Sequence, residues 1–158
     1  MNLSSLLAGA AGAAGLLAGG ALFAFSSFVM PALRDLPTET AVRAMQSIND
    51  WAPRSVLMVP LMGSPALGAL VGGLALADRL PGDRRLLLAG AALSVVAFAV
   101  TAAYHVPRNN QLATLAPGTP EAAAYWQTYL GEWTRMNHVR VVLLLASGVS
   151  LWLGARRG

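Results

Sequence analysis

The sequence lacks cysteine and lysine altogether and has few charged residues of any kind. The absence of cysteine excludes disulfide scaffolds, iron–sulfur ligation and thiol redox relays. Charged residues make up 11% of the 158 positions, whereas soluble domains contain roughly 25%. This shortage excludes a soluble globular domain, and the 56% hydrophobic content excludes a disordered chain.

The uncharged residues are concentrated in long runs. Charged side chains are absent from residues 1–33, 55–77 and 86–104, and about 18 or more such residues in succession are typical of a membrane-spanning helix. A fourth run precedes Arg156 and is long enough only if its helix starts near Met136. Residues 1–5 carry no basic side chain, so we expect the first run to be a retained span and not a signal peptide.

These runs predict the fold class. We expect an all-α integral membrane four-helix bundle, formed by residues 1–158 as a single domain. The predicted spans cover about 4–30, 55–77, 86–104 and 136–155.

The connections between the spans are unequal. Residues 78–85 form a tight turn, whereas the other two connections are long and carry helical patterns. In the first, Val42, Met45 and Ile48 recur at helical spacing; in the second, Thr119 and Pro120 are typical of a helix start. We therefore predict amphipathic helices in both long connections.

All 11 basic residues are arginines, and their distribution predicts the orientation. Three lie in the short turn, Arg156 and Arg157 lie next to the C-terminal Gly158, and the others are scattered, which argues against a nucleic-acid surface. Because basic residues next to span ends favour the cytoplasmic side, we expect both termini and the short turn in the cytoplasm of a bacterial cell. The multi-pass protein would then reside in the cytoplasmic membrane.

Two small-xxx-small motifs occur in the first two spans. Gly15 and Gly19 form one, and Gly68 and Gly72 form the other. Such pairs let helices approach closely in lipid. They fit either helix packing within the chain or dimerisation, so the oligomeric state stays open.

Polar side chains gather where the third span ends and the fourth begins. Both histidines, His105 and His138, lie here, and Trp133, Asn137 and Arg140 follow one helix stripe at i, i+4 and i+7. An arginine at membrane depth costs roughly 2.5–3.5 kcal/mol on insertion scales, so it requires a partner or marks a site.

Three interpretations of this cluster remain open. The residues are interfacial and bind headgroups or carbonyls; or His105 and His138 ligate a metal or a haem; or the cluster forms a pocket for an apolar, weakly acidic molecule. In the last case a neutral histidine accepts a proton, and Asn137 and Arg140 stabilise the anion.

Three segments resemble the anthrone oxygenase-like family of small four-span membrane proteins. They are FSSFVMP at 25–31, VPRNN at 106–110 and WTRMNHVR at 133–140. The resemblance implies oxidation of an anthrone to an anthraquinone by molecular oxygen, without an established metal or flavin. The positions that match the family's motif are Pro107, Asn109 or Asn110, Trp133, Asn137 and Arg140.

The predicted function is therefore the cofactor-independent oxidation of an apolar polycyclic aromatic by oxygen. The alternative is a non-enzymatic membrane protein that binds lipid or supports a membrane complex. The predicted catalytic residues are His138, His105, Asn137 and Arg140. The predicted substrate-binding residues are Trp133, Asn109, Asn110, Tyr104 and Trp126.

Overall fold

The computed structural model describes residues 3–156, with side chains from residue 5 onwards. Arg157, which entered the orientation argument, lies outside this range. Every regular element within it is helical, which confirms the all-α prediction. Four segments are long and apolar enough to cross a membrane, and they make this a multi-pass membrane protein: Ser5–Arg34, Met58–Leu76, Arg84–Ala113 and Pro120–Arg156.

The first and third segments each contain a π-helical turn. Helix α1 (Leu3–Ala24) continues through a π turn at Phe25–Val29 into α2 (Met30–Arg34). Helix α5 (Arg84–Val100) likewise continues through Thr101–His105 into α6 (Val106–Ala113).

A proline explains each π turn. Pro31 and Pro107 follow the turns, and a proline ring removes one hydrogen bond and clashes with the carbonyl four residues earlier. The N–H before each proline instead reaches back five residues, from Met30 to the Phe25 carbonyl and from Val106 to that of Thr101. The third segment therefore continues past the predicted end at Tyr104.

The two long connections differ in construction. The first contains α3 (Thr38–Trp51), an amphipathic helix that buries Ala41, Val42 and Met45. The second has no separate helix, because α6 prolongs one span and α7 (Pro120–Arg156) runs unbroken into the next. Helix α7 begins as predicted, since the Thr119 hydroxyl accepts a hydrogen bond from the Ala122 N–H at 3.2 Å.

The small residues of the spans pack helices within the chain. An added Cβ at Gly15 would lie 3.2 Å from the Leu144 carbonyl oxygen of α7, and one at Gly72 would lie 2.9 Å from Ala91 Cβ of α5. Helix α4 (Met58–Leu76) thereby contacts α5, and α1 contacts α7. The glycine motifs therefore have partners inside the bundle.

The extensions beyond the spans form a second core, which we call the cap. Helices α2, α3 and α6 and the first part of α7 contribute to it. Its buried residues are Met30, Leu33, Ala41, Val42, Met45, Leu112, Trp126, Tyr129 and Trp133. The candidate site lies where the cap meets the spans.

Candidate functional site

A cavity of about 340 Å³ lies between the cap and the spans. Its walls come from both π turns, from α3, α4 and α6, and from the middle of α7. Most of the lining is apolar, and the polar groups that line it are Asn49, Thr101, His105, Asn109 and Arg140. This volume falls at the lower end of the ~300–1,000 Å³ that small-molecule pockets occupy.

Arg140 is the charged group of the cavity wall. Its side chain is 4% exposed and has no carboxylate partner among the described residues. One terminal nitrogen donates to Asn137 Oδ1 at 2.6 Å, and the other donates to Thr101 Oγ1 at 3.3 Å. The Nε–H has no acceptor within the described structure. A buried guanidinium with a free donor is suited to bind an anionic or carbonyl oxygen.

Both π turns hold this arginine. The second contributes Thr101 directly. The first acts through Asn137, whose amide donates to the Leu22 carbonyl at 2.7 Å and to Ser26 Oγ at 2.6 Å. π-helical turns occur often at functional sites, and here they converge on one side chain from opposite helices.

His105 is the second unusual group. It lies in the second π turn, is 1% exposed, and neither of its ring nitrogens has a hydrogen-bond partner within residues 3–156. Its ring packs against Trp133 with centroids 5.1 Å apart. Since most buried polar side-chain atoms are hydrogen-bonded, an unpaired imidazole that lines a cavity is a candidate ligand-binding group.

Trp133, whose ring packs against His105, is held in place by hydrogen bonds from its indole edge. Its indole Nε1–H donates to Asn109 Oδ1 at 3.1 Å, and the Tyr129 hydroxyl donates to the same oxygen at 2.8 Å. Asn49 of α3 donates to the Tyr129 hydroxyl at 3.3 Å. The network fixes an aromatic plane at the cavity wall.

The structure brings together part of the predicted site. His105, Asn109, Trp133 and Arg140 line the cavity, and Asn137 lies behind Arg140.

The other predicted residues lie elsewhere. His138 is exposed in a groove on the outer surface, and Asn110 is exposed. Tyr104 donates to Glu132 Oε2 at 3.3 Å, and Trp126 stacks on Tyr129 inside the cap.

Sequence reasoning did not assign Ser26, Asn49 or Thr101 to the site. Ser26 and Thr101 each lie five or six residues before a proline in a span, and that spacing is the signal from which a π turn there could have been expected. Asn49 carries no comparable local signal, because its place depends on how α3 folds over the spans.

The described residues contain no group of three or more His, Asp or Glu side chains placed to hold a metal ion. His105 lines the cavity and His138 the outer groove. The expectation of a reaction without a cofactor stays a prediction.

Fold and site together define a multi-pass helical membrane protein with a mostly apolar cavity between its spans and its cap. The chain belongs to the anthrone oxygenase family, whose sequence model matches residues 54–150. This match confirms the resemblance. It covers α4, α5, α6 and α7 as far as residue 150, whereas α1 and α3, which also line the cavity, lie outside it. Comparisons with curated proteins and with solved structures found no match.

Proposed function

We propose that the protein oxidises an apolar polycyclic aromatic of the anthrone class with molecular oxygen, in the cavity and without a cofactor. One observation carries this proposal. His105 lines a mostly apolar cavity, and neither of its ring nitrogens has a hydrogen-bond partner among the described residues. The family membership supports the reaction class.

The first step is the removal of a proton. The carbon between the two rings of an anthrone is doubly benzylic and conjugated to a carbonyl, so its loss of a proton gives a delocalised enolate. His105 is the proton acceptor, since a neutral imidazole has one nitrogen free to accept. The free Nε–H of Arg140 binds the enolate oxygen, and Trp133 packs against the aromatic plane.

The remaining steps need no further reductant. The enolate transfers an electron to oxygen, the resulting radical pair combines into a peroxide anion at the same carbon, and the proton held by His105 returns to it and gives a hydroperoxide. Loss of the second proton from that carbon and cleavage of the O–O bond release water and form the second carbonyl. One anthrone and one oxygen molecule thus give one anthraquinone and one water.

The substrate enters from the lipid. Phe98, Ala102 and Val106 line the cavity at i, i+4 and i+8 and are exposed on the third segment, opposite Met58 at the start of α4. Phe98 is 41% exposed and Val106 46% exposed. An apolar opening on the flank of the bundle suits a molecule that dissolves in the bilayer better than in water.

The membrane is the cytoplasmic membrane of a bacterium, with both termini and the short turn in the cytoplasm. Arg79, Arg84 and Arg85 at one end of the bundle support this orientation. The cap and the cavity then lie at the outer end.

Turnover by the purified protein in lipid nanodiscs tests the proposal. Emodin anthrone is the substrate, oxygen uptake and quinone absorbance are the readouts, and we expect equal molar amounts of both. His105→Asn is expected to lower the turnover rate by about 10²–10⁴-fold, the usual contribution of a general base.

His138→Asn is the comparison, because it removes an imidazole outside the cavity. A loss of turnover in His138→Asn but not in His105→Asn would contradict the assignment of His105 as the proton acceptor. Incorporation of one atom from ¹⁸O₂ into the new carbonyl is expected, and full turnover by both histidine variants would refute the acid–base role altogether.

A further inference from the structure

A groove of about 480 Å³ runs along the outside of the molecule between α2 and α7 and is separate from the cavity. Its floor is apolar and contains Met30, Pro31 and Leu130. Gly131 opens the groove further, since an added Cβ there would meet nothing within 4 Å.

The polar side chains that line the rim of the groove are Arg34, Gln127, Thr134, Arg135 and His138, and none of the described residues that line it is a carboxylate. The two arginines can only donate hydrogen bonds. Arg135 makes no ion pair or hydrogen bond with any described residue. Arg34 donates its Nε–H to Asp35 at 3.0 Å, and its two terminal nitrogens have no partner among the residues that the structure describes. The rim therefore has an unneutralised positive charge and several unused donors.

The direction of the two helices brings the two guanidinium groups toward each other. Helical side chains tilt toward the N-terminus of their helix. The side chain of Arg34 on α2 therefore tilts toward the spans, and the side chain of Arg135 on α7 tilts toward the cap. Both line the same groove.

The groove begins where the hydrocarbon layer ends. Helix α4 has 19 residues, which at about 1.5 Å per residue span about 28 Å, close to the ~30 Å of a bilayer core. The same number of residues counted back from Arg156 along α7 reaches His138, and Arg135 lies one turn further out. The rim donors are thus at the depth of lipid headgroups.

We propose that this groove is a binding site for an anionic phospholipid. The phosphate accepts hydrogen bonds from Arg135 and from the free nitrogens of Arg34, and the glycerol and the first acyl carbons cover the apolar floor. A zwitterionic lipid fits less well, because the described residues that line the groove offer no carboxylate to a choline. Free inorganic phosphate has no apolar part to place on the floor.

The test measures lipid retained by the full-length protein. The protein is purified in a neutral detergent and titrated separately with phosphatidylglycerol, phosphatidylcholine and inorganic phosphate, and bound molecules are counted by native mass spectrometry. We expect retention of phosphatidylglycerol, together with a rise in melting temperature, and neither effect with the other two.

Two variants weaken the site by different routes. Arg135→Gln removes a positive charge and is expected to lower phosphatidylglycerol affinity about fivefold, the effect of one arginine near an anionic surface. Gly131→Phe leaves the charge unchanged and fills the groove, and it is expected to abolish retention. Arg79→Gln is the matched control, since Arg79 is also exposed and unpaired but lies in the short turn at the other end of the bundle.

Equal retention of phosphatidylcholine and phosphatidylglycerol would overturn the proposal. It would also be overturned if Arg79→Gln and Arg135→Gln lowered the affinity for phosphatidylglycerol equally. Saturation by inorganic phosphate with the same sensitivity to Arg135→Gln would show an anion site without a lipid. The melting temperature of each variant without lipid shows whether it is folded.

Discussion

Arg140 and His105 are buried polar residues: within residues 3–156, the Nε–H of Arg140 and both ring nitrogens of His105 have no hydrogen-bond partner. Burial of an unpaired donor costs about 1–3 kcal/mol, which a bundle of this size does not bear without a reason. A bound ligand oxygen at Arg140 and a transferable proton at His105 supply that reason in the proposed function. The sequence singled out Arg140 because charge is scarce in the spans, and His105 because both histidines lie where the third span ends and the fourth begins.

The stripe of Trp133, Asn137 and Arg140 was predicted to face one space, and the structure divides it. At about 100° per residue, Arg140 lies about 20° to one side of Trp133 and Asn137 about 40° to the other. Asn137 therefore turns to α1 and binds Ser26, whereas the other two line the cavity. His138 lies about 140° from Trp133, which explains its place in the outer groove.

Asn137→Ala is expected to destabilise the protein by about 1–3 kcal/mol. The change removes the acceptor of a buried guanidinium and leaves Ser26 Oγ without its donor. Unfolding in mixed micelles measures the effect. Asn110→Ala, at an exposed position, is the control and should stay within about 0.5 kcal/mol of the wild type; equal stability of the two variants would contradict the positioning role of Asn137.

At the scale of the elements, the two π turns explain how prolines in the sequence position residues of the candidate site. Pro31 and Pro107 were visible in the sequence, and the first and third spans were predicted to stop near residues 30 and 104. The helices instead continue, because an i+5 hydrogen bond before each proline avoids the clash. The extra residue in each turn places Ser26 and Thr101 next to the α7 polar groups.

Gly148→Ala is expected to lower the free energy of unfolding by about 1–3 kcal/mol, since α1 and α7 are already in close contact. Its Cβ would lie 2.8 Å from the Gly12 carbonyl oxygen and 2.7 Å from Leu16 Cγ. The same micelle unfolding measures the change.

Gly73→Ala provides the matched control, because an added Cβ there meets nothing within 4 Å. This variant is expected to be as stable as the wild type or up to about 1 kcal/mol more stable, through higher helix propensity. Equal losses at Gly73 and Gly148 would show that close packing of α1 on α7 is not the cause.

At the scale of the whole molecule, the two ends of the bundle differ. One end has a tight turn and three arginines, and the other has the cap, the cavity and the groove. The proposed substrate site and the proposed lipid site therefore both lie at the end opposite the short turn.

Single-cysteine labelling tests the proposed orientation, and the natural absence of cysteine makes the protein suitable for it. Ala77, which directly follows α4 and precedes the short turn, and Ala116 in the second long connection are both exposed and are each replaced by cysteine. In intact bacterial cells, a membrane-impermeant maleimide is expected to label Ala116→Cys and to label Ala77→Cys only after permeabilisation. The reverse pattern would invert the orientation.

The sequence by itself determined the fold class, the presence of four spans and the family, because long uncharged runs have few stable states in lipid and local motifs need no tertiary contact to be recognised. It also indicated the region of the site, since polar residues are conspicuous in an apolar chain. Only the tertiary structure decided which of them meet. The convergence of His105, Asn109, Trp133 and Arg140 on one cavity, with Asn49 from α3, depends on helix rotation, on two π turns and on contacts between residues far apart in the chain.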